Sequence, residues 1–242
     1  MAVIELRNIS KAFDGHHVLR SVDLEVDEGT TVVILGKSGV GKSVLLKVVI
    51  RLITPDQGTV HIDGQEVGRM KSRGLQALRR GMGYLFQGAA LYDSMSVREN
   101  LAFPLERSER LEAVELEHRI VEQLRLVGLV DAIDKMPSDL SGGMKKRVGL
   151  ARALITNPRI MLYDEPTTGL DPITAREISY LIKNMQERYR PTSIAVTHDM
   201  ICARIIADKA AILDHGVLDR QGTMDSLRNS NDEIAQSFFA SE

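Results

Sequence analysis

Apolar and polar residues alternate over residues 3–9 and again over 21–26, where Val22, Leu24 and Val26 share one face. That period of two predicts strands with one side buried. Residues 31–35 form a continuous β-branched apolar run, the pattern of a strand covered on both faces. Residues 59–62 run into Asp63-Gly64, a strand entering a tight turn, and 83–86 is a further short strand. The first third of the chain therefore reads as strands.

The period changes near Gln87 and stays helical to about Asn157. Ala113, Leu116, Ile120, Leu124 and Val127 recur at steps of three and four, with Glu112, Glu115, Arg119 and Glu122 on other faces and Gly128 as a stop. Strand character returns at 160–163, a helix is predicted from Pro172, and 193–197 is another strand. Residues 210–214, His215-Gly216 and 217–220 predict a hairpin. The economical organisation is one domain over 1–242, an α/β core from 1–87 and 157–242 with a helical subdomain at 88–156.

Composition narrows the classes. Thirty-one Lys+Arg against 33 Asp+Glu give a net charge of −2, which argues against a nucleic-acid binder relying on a basic face. The one cysteine, Cys202, excludes an internal disulfide framework or a cysteine-based zinc site. The opening residues lack the basic and long apolar regions of a signal peptide. No apolar stretch reaches the roughly 18 residues of a membrane span; 43–53 is broken by Lys47 and Arg51. A soluble chain in a reducing compartment is expected.

Gly36-Lys37-Ser38-Gly39-Val40-Gly41-Lys42-Ser43 matches the phosphate-loop pattern in its proper context, after the buried-type strand and before a helical segment. Glycines let backbone N–H groups turn around phosphate oxygens, and the helix N-terminus adds partial positive charge. Lys42 would reach the β- and γ-phosphates and Ser43 would ligate Mg²⁺. A Gly-rich turn with a surface lysine is the plain alternative, and the full pattern disfavours it.

Residues 160–163 lead into Asp164-Glu165. Ligands of open α/β sheets lie beyond the carboxyl ends of strands, and adjacent side chains on a strand point to opposite faces. Asp164 is assigned to Mg²⁺ and Glu165 to polarising the attacking water. Leu140-Ser141-Gly142-Gly143-Met144 then opens a stripe of Met144, Val148, Ala151 and Ile155. Ser141 is a natural N-cap, and the two glycines clear side chains from a second anion-accepting helix start.

Together these motifs resemble the ATP-binding cassette (ABC) ATPases along essentially the whole chain. The order is the phosphate loop, Gln87 after a strand, the LSGG signature, Asp164-Glu165, Gly169-Leu170-Asp171 and His198. The resemblance implies an α/β P-loop NTPase fold of the ABC type, with an antiparallel β subdomain and an inserted α-helical subdomain. It implies ATP and Mg²⁺ as ligands. Gln87 would begin a loop that senses nucleotide, touches Mg²⁺ and faces a membrane partner. Asp171 would contact a second copy of the chain, and His198 the γ-phosphate. Ser141, Gly142 and Gly143 of one copy would close over ATP held by the phosphate loop of the other. Phe13 lies where cassettes stack an aromatic on adenine; a core phenylalanine is the alternative.

The signature departs from the family at Met144, where glutamine is usual. A weakened site and a subfamily variant both account for it. The stretches 86–97, 99–105 and 140–147, with Lys145-Lys146-Arg147, resemble the ATPases of Mla/Mce-type phospholipid transporters. The resemblance therefore implies an ATPase powering phospholipid transport through a separate integral membrane permease, with the cassette at the cytoplasmic face of the inner membrane. The permease would bind near 87–105, in a groove around Leu91, Met95, Val97, Leu101 and Phe103, several of which must instead fill the local core. A homodimer, lipid-transfer components and no nucleic acid complete the expected partners. A small-solute importer is the runner-up, and a soluble non-transport cassette stands behind it. Ile234, Ala235, Phe238 and Phe239 form a last apolar stripe, packed on the chain's own core or docked on the second cassette.

Overall fold

The structure is a computed structural model that describes residues 2–240. The chain divides into two compact units, one holding the chain up to Arg79 and again from Arg190, the other Arg80–Tyr189. In chain order the first unit contributes β1 (Ala2–Phe13), β2 (His16–Asp27), β3 (Thr31–Leu35), α1 (Lys42–Val49), β4 (Gln57–Ile62), β5 (Gln65–Glu66) and α2 (Ser72–Arg80). The second contributes β6 (Met82–Leu85), α3 (Val97–Ser108), α4 (Ala113–Leu126), α5 (Gly142–Leu154), β7 (Ile160–Asp164) and α6 (Pro172–Tyr189). The chain then returns with β8 (Thr192–Thr197), α7 (Met200–Ile206), β9 (Lys209–Asp214), β10 (Val217–Gly222), α8 (Met224–Arg228) and α9 (Glu233–Phe239).

In the first unit β2, β1, β4 and β5 pair antiparallel. The alternation read from the sequence holds, with Ile4, Leu6, Val22, Leu24 and Val26 buried. The expected turns close both hairpins. Asp63 and Gly64 take φ of 49° and 73°, His215 and Gly216 take 46° and 84°, and their flanking residues pair directly. Two consecutive positive φ values match the right-handed twist of the joined strands, and a glycine at the second position accepts one without strain. β3 lies between β8 and β9, parallel to both, and all five of its residues are buried. Its continuous apolar run is explained by that double covering. The helix α2 has no counterpart in the hydrophobic pattern of the sequence. None of its residues is buried, so no apolar stripe announced it.

In the second unit β6 and β7 run parallel, Met82 beside Ile160 through Leu85 beside Tyr163. Gly83 is required here, because a Cβ would lie 2.4 Å from the Ala153 carbonyl and 2.2 Å from the Met161 sulfur. Three helices build a separate core from Val97, Leu101 and Leu105 of α3, Ile120 and Leu124 of α4, and Val148 and Ala151 of α5. Ser96 starts α3 with a capping box: its hydroxyl accepts from the Glu99 N–H, and the Glu99 carboxylate accepts from the Ser96 N–H at 2.7 Å. Gly128, at φ 69°, stops α4 as expected. Ala113 differs from expectation by being exposed, since the first turn of α4 precedes the point where the helix meets its neighbours. At the chain's end Ala235 is buried and Ile234, Phe238 and Phe239 are half-buried in their own unit, with the Arg204 guanidinium 5.9 Å from the Phe239 ring centre. The stripe packs on its own unit.

Candidate nucleotide-binding site

In the first unit the phosphate loop leaves the end of β3 and closes into α1. Gly39 and Gly41 take φ of 82° and 111°, values that L side chains resist. Gly36 is required by space: a Cβ there would lie 2.8 Å from both the Leu213 carbonyl and Val40 Cγ1. At Gly41 it would lie 2.6 Å from Val18 Cγ1, so the β1–β2 hairpin presses directly on the loop. α1 has no side-chain cap and no acidic residue in its first turn, which leaves the positive end of its dipole uncompensated by carboxylate. Lys42 is buried, and its ammonium donates to the Gly36 carbonyl at 2.7 Å and the Lys37 carbonyl at 3.1 Å. This backbone cradle with a captive ammonium fits a polyphosphate.

Parallel pairing sets Leu35 beside Thr197. The strands carrying the phosphate loop and His198 therefore end at the same level of one sheet. His198 is exposed, in a turn fixed on both sides. The Thr197 hydroxyl accepts from the Asp199 N–H at 3.0 Å, and the Asp199 carboxylate caps α7 by accepting from Ile201 and Cys202. Phe13 closes β1 and is 42% exposed, with the Lys11 ammonium 5.3 Å from its ring centre.

In the second unit Asp164 ends β7, buried, and its carboxylate accepts a hydrogen bond from the Tyr84 hydroxyl at 3.1 Å. Burial, reinforced by the Asp164 charge and this bond, holds the Tyr84 phenol far above its ordinary ionisation range. It remains a donor. Glu165 follows, 6% exposed, with its backbone at φ 48°. Its carboxylate accepts from the Thr168 hydroxyl at 3.2 Å, and its carbonyl accepts from the Lys146 ammonium at 3.0 Å. Lys146 also donates to the Gln87 carbonyl, while the Gln87 side chain is exposed. Within this unit Asp164 and Gln87 carry oxygen donors, the chemistry that a hard cation such as Mg²⁺ takes.

Ser141 caps α5 as expected, its hydroxyl accepting from the Met144 N–H at 3.3 Å. A Cβ on Gly143 would sit 2.6 Å from Thr174 Cγ2. The Thr174 hydroxyl in turn donates to Asp171 at 2.6 Å, so the Asp171 loop and the signature helix meet at one threonine. Asp171 also accepts from the N–H groups of Ile173 and Thr174, and these bonds, with the Thr174 hydroxyl foremost, lower its carboxyl below the ordinary value of 3.8.

Of the five residues named for the permease groove, Val97 and Leu101 are among those that fill the local core, fully buried in the helical cluster. Asn100, equally buried, holds the preceding loop instead. Its side chain accepts from the Tyr92 N–H and donates to the carbonyls of Tyr92, Met95 and Ser96. Arg152 of α5 donates to Asn100 Oδ1 and the Ala89 carbonyl. What the loop exposes is Tyr92, tilted against Phe103, with the Arg107 guanidinium 4.3 Å from the Phe103 ring centre. Tyr84, Lys146, Asn100 and Arg152 were not singled out from the sequence for these roles. Lys146 stands off the apolar stripe of its helix, where a lysine ordinarily signals solvent.

A strand, a glycine cradle, a helix start and a capped signature helix define the class as a P-loop ATPase cassette. The ABC transporter family matches residues 19–168, and the chain belongs to that family as an ATP-binding subunit and an ATPase. A probable ribonucleotide transport ATP-binding protein, mkl, of Mycobacterium leprae (strain TN) is 37% identical over 236 residues, 98% of this chain and 68% of that protein. The methionine import ATP-binding protein MetN of Mannheimia succiniciproducens is 38% identical over 99% of this chain and 70% of its own length. The chain thus spans about two thirds of these relatives. Among solved structures, a dimeric ATP-binding cassette in a post-hydrolysis state, bound to ADP and Pi, superposes with a TM-score of 0.83 at 32% identity, covering 91% of this chain and 98% of that one.

Proposed function

We propose that the chain hydrolyses ATP to power phospholipid transport of the Mla/Mce type through a separate membrane permease. In this reading residues 1–242 form one cassette, with an α/β core from 1–87 and 157–242 and a helical subdomain at 88–156. Cassettes of the family form dimers and pair with membrane permeases. Among the described residues no helix is long and apolar enough to cross a membrane, which accords with a peripheral subunit borne by a permease at the cytoplasmic face of the inner membrane.

The roles follow from side-chain chemistry. Residues 36–43 hold the phosphates through backbone N–H groups and Lys42, and Phe13 offers its exposed ring to the adenine. Ser43, Asp164 and Gln87 would hold Mg²⁺, which when bound neutralises charge on the β- and γ-phosphate oxygens. Glu165 takes a proton from the attacking water as the water oxygen bonds to the γ-phosphorus and the bond to the ADP oxygen breaks, leaving ADP and inorganic phosphate. His198 serves the γ-phosphate. Ser141, Gly142, Gly143 and Asp171 serve the nucleotide across the dimer. Lys42→Ala should abolish ATP binding or hydrolysis, whereas Glu165→Gln should bind ATP, trap the closed dimer and stop turnover. Normal hydrolysis by Glu165→Gln would remove the general-base assignment.

What supports the lipid-transport reading is the resemblance of the stretches 86–97, 99–105 and 140–147 to the Mla/Mce-type ATPases. Met144, within the last of them, packs its side chain against the helical core that holds Val148 and Ala151. That supports a subfamily trait, in company with the Mla/Mce-like stretches around it. The name of the MetN relative, a methionine importer, favours the second reading, a small-solute importer, whereas the mkl relative, of the Mce-associated family, accords with the first. Purification of the tagged chain from membranes, with identification of the permease and its co-purifying lipid, decides between them. A permease that carries methionine or nucleotide and no phospholipid overturns the lipid reading.

A further inference from the structure

Lys146 is only 4% exposed, and its ammonium is spent on two backbone carbonyls of the second unit, Gln87 at 2.5 Å and Glu165 at 3.0 Å. A charge removed from water is costly unless it is hydrogen-bonded, so a lysine kept at such a place has work that an apolar residue would not do. Glu165 takes φ 48°, a left-handed backbone that a side chain with a Cβ adopts only when its surroundings hold it. The surroundings are on both sides of its Cα. Lys146 and the Thr168 N–H, at 3.3 Å, hold the carbonyl, and the Thr168 hydroxyl holds the carboxylate. An ammonium, with three donors, can serve two carbonyls at once.

We infer that Lys146 is a positioning residue for Glu165, clamping its backbone to that of Gln87 so that the aim of the carboxylate depends on where the Gln87 segment stands. The inference rests on the proposed role of Glu165 at the attacking water. It gives α5 a task beyond presenting the signature. Ser141 heads the helix, Lys146 further along grips the backbones of Gln87 and Glu165, and Arg152 near its end grips the Ala89 carbonyl. A displacement of the loop that holds Gln87 and Ala89 is thereby transmitted to the carboxylate through one rigid helix.

The test uses the full chain carrying Lys146→Met, Lys146→Gln or Lys146→Arg, each alone and with Glu165→Gln. ATP turnover is followed across ATP concentrations, and slow variants by single turnover with enzyme in excess. ATP affinity is read with a fluorescent ATP analogue, and folding by Tm. Lys146→Met should lower kcat by about tenfold or more, the cost of a misaimed group. KM and ATP affinity should stay within about threefold, and Lys146→Arg should recover most of kcat. In the Glu165→Gln background Lys146→Met should cost nothing further, since the two act as one unit. If the methionine variant does not fold, Lys146→Gln, uncharged and shorter, carries the same comparison. A folded variant with wild-type kcat, or an equal loss in the Glu165→Gln background, overturns the inference. Full turnover by Glu165→Gln alone instead overturns the role of Glu165, an outcome that does not involve Lys146.

Discussion

The Tyr84 hydroxyl donates to the Asp164 carboxylate at 3.1 Å at the ends of two neighbouring parallel strands. The pairing sets a neutral donor against the carboxylate assigned to Mg²⁺. It satisfies part of that carboxylate without neutralising its charge, leaving the remaining lone pairs to other partners.

Removing the hydroxyl with Tyr84→Phe should therefore destabilise the protein, by about 1–3 kcal/mol for a buried charged acceptor losing its donor. The pH dependence has a definite sign. The phenol ionises near 10.0 in the unfolded chain and well above that when folded. Its contribution is fully present below pH 10 and is lost as pH rises further, because only the unfolded state then releases the proton. The Tm gap between the wild type and Tyr84→Phe, measured from pH 8 upward, should be constant to about pH 10 and narrow beyond it. A gap that widens above pH 10 would contradict the assignment.

Thr174 links two motifs through its two branches. Its methyl occupies the space where a Gly143 side chain would project, and its hydroxyl is bonded to Asp171. Gly143→Ala should cost about 1–3 kcal/mol through overpacking. Adding Thr174→Ser, which deletes the methyl and keeps the hydroxyl, should return most of that loss in denaturant unfolding. Thr174→Val should raise the Asp171 carboxyl toward 3.8, since its strongest donor is gone, as followed by carboxyl-carbon NMR titration.

How far the sequence discloses this protein depends on whether a residue's task has a periodic or spaced signature. The phosphate loop, the capped signature helix and the two hairpins were legible because each needs particular residue types at fixed intervals. The strand β3 was legible because covering on both faces demands an unbroken apolar run. The helix α2 was not, because it buries nothing. Lys146 and Asn100 were not either, since polar side chains satisfied by backbone carbonyls distant in sequence follow no period. Which residues of the groove set fill the core is hidden for a related reason. Apolar residues next to an interaction loop look alike whether they face a partner or the core, and only the folded helices bury Val97 and Leu101.

Asn100 carries the loop that would meet the permease. It is fully buried, and its amide serves Tyr92 in both directions as well as the Met95 and Ser96 carbonyls. Asn100→Leu should leave several of these backbone groups without a partner and cost roughly 2–4 kcal/mol. Hydrogen exchange should show the largest gain over residues 88–96, with α4 less affected. Uniform gain across the second unit would mean that Asn100 supports the core and not the loop in particular.

Met144 separates a subfamily trait from a damaged site. Its side chain is half-buried against the apolar core of the helical unit, while its N–H is already satisfied by Ser141. Met144→Gln would place an amide partly among apolar neighbours, with no hydrogen-bond partner provided there. It should therefore lower Tm, at a cost of about 1 kcal/mol or more. Turnover should remain within several-fold of the wild type, because the Ser141 cap and the glycine-lined helix start are untouched by the exchange. A large rise in kcat with unchanged Tm would instead mean that the glutamine contacts nucleotide and that Met144 weakens the site. Measuring kcat and Tm on the same preparation distinguishes the two, since the trait predicts a stability loss without a catalytic gain and the damaged site predicts the reverse.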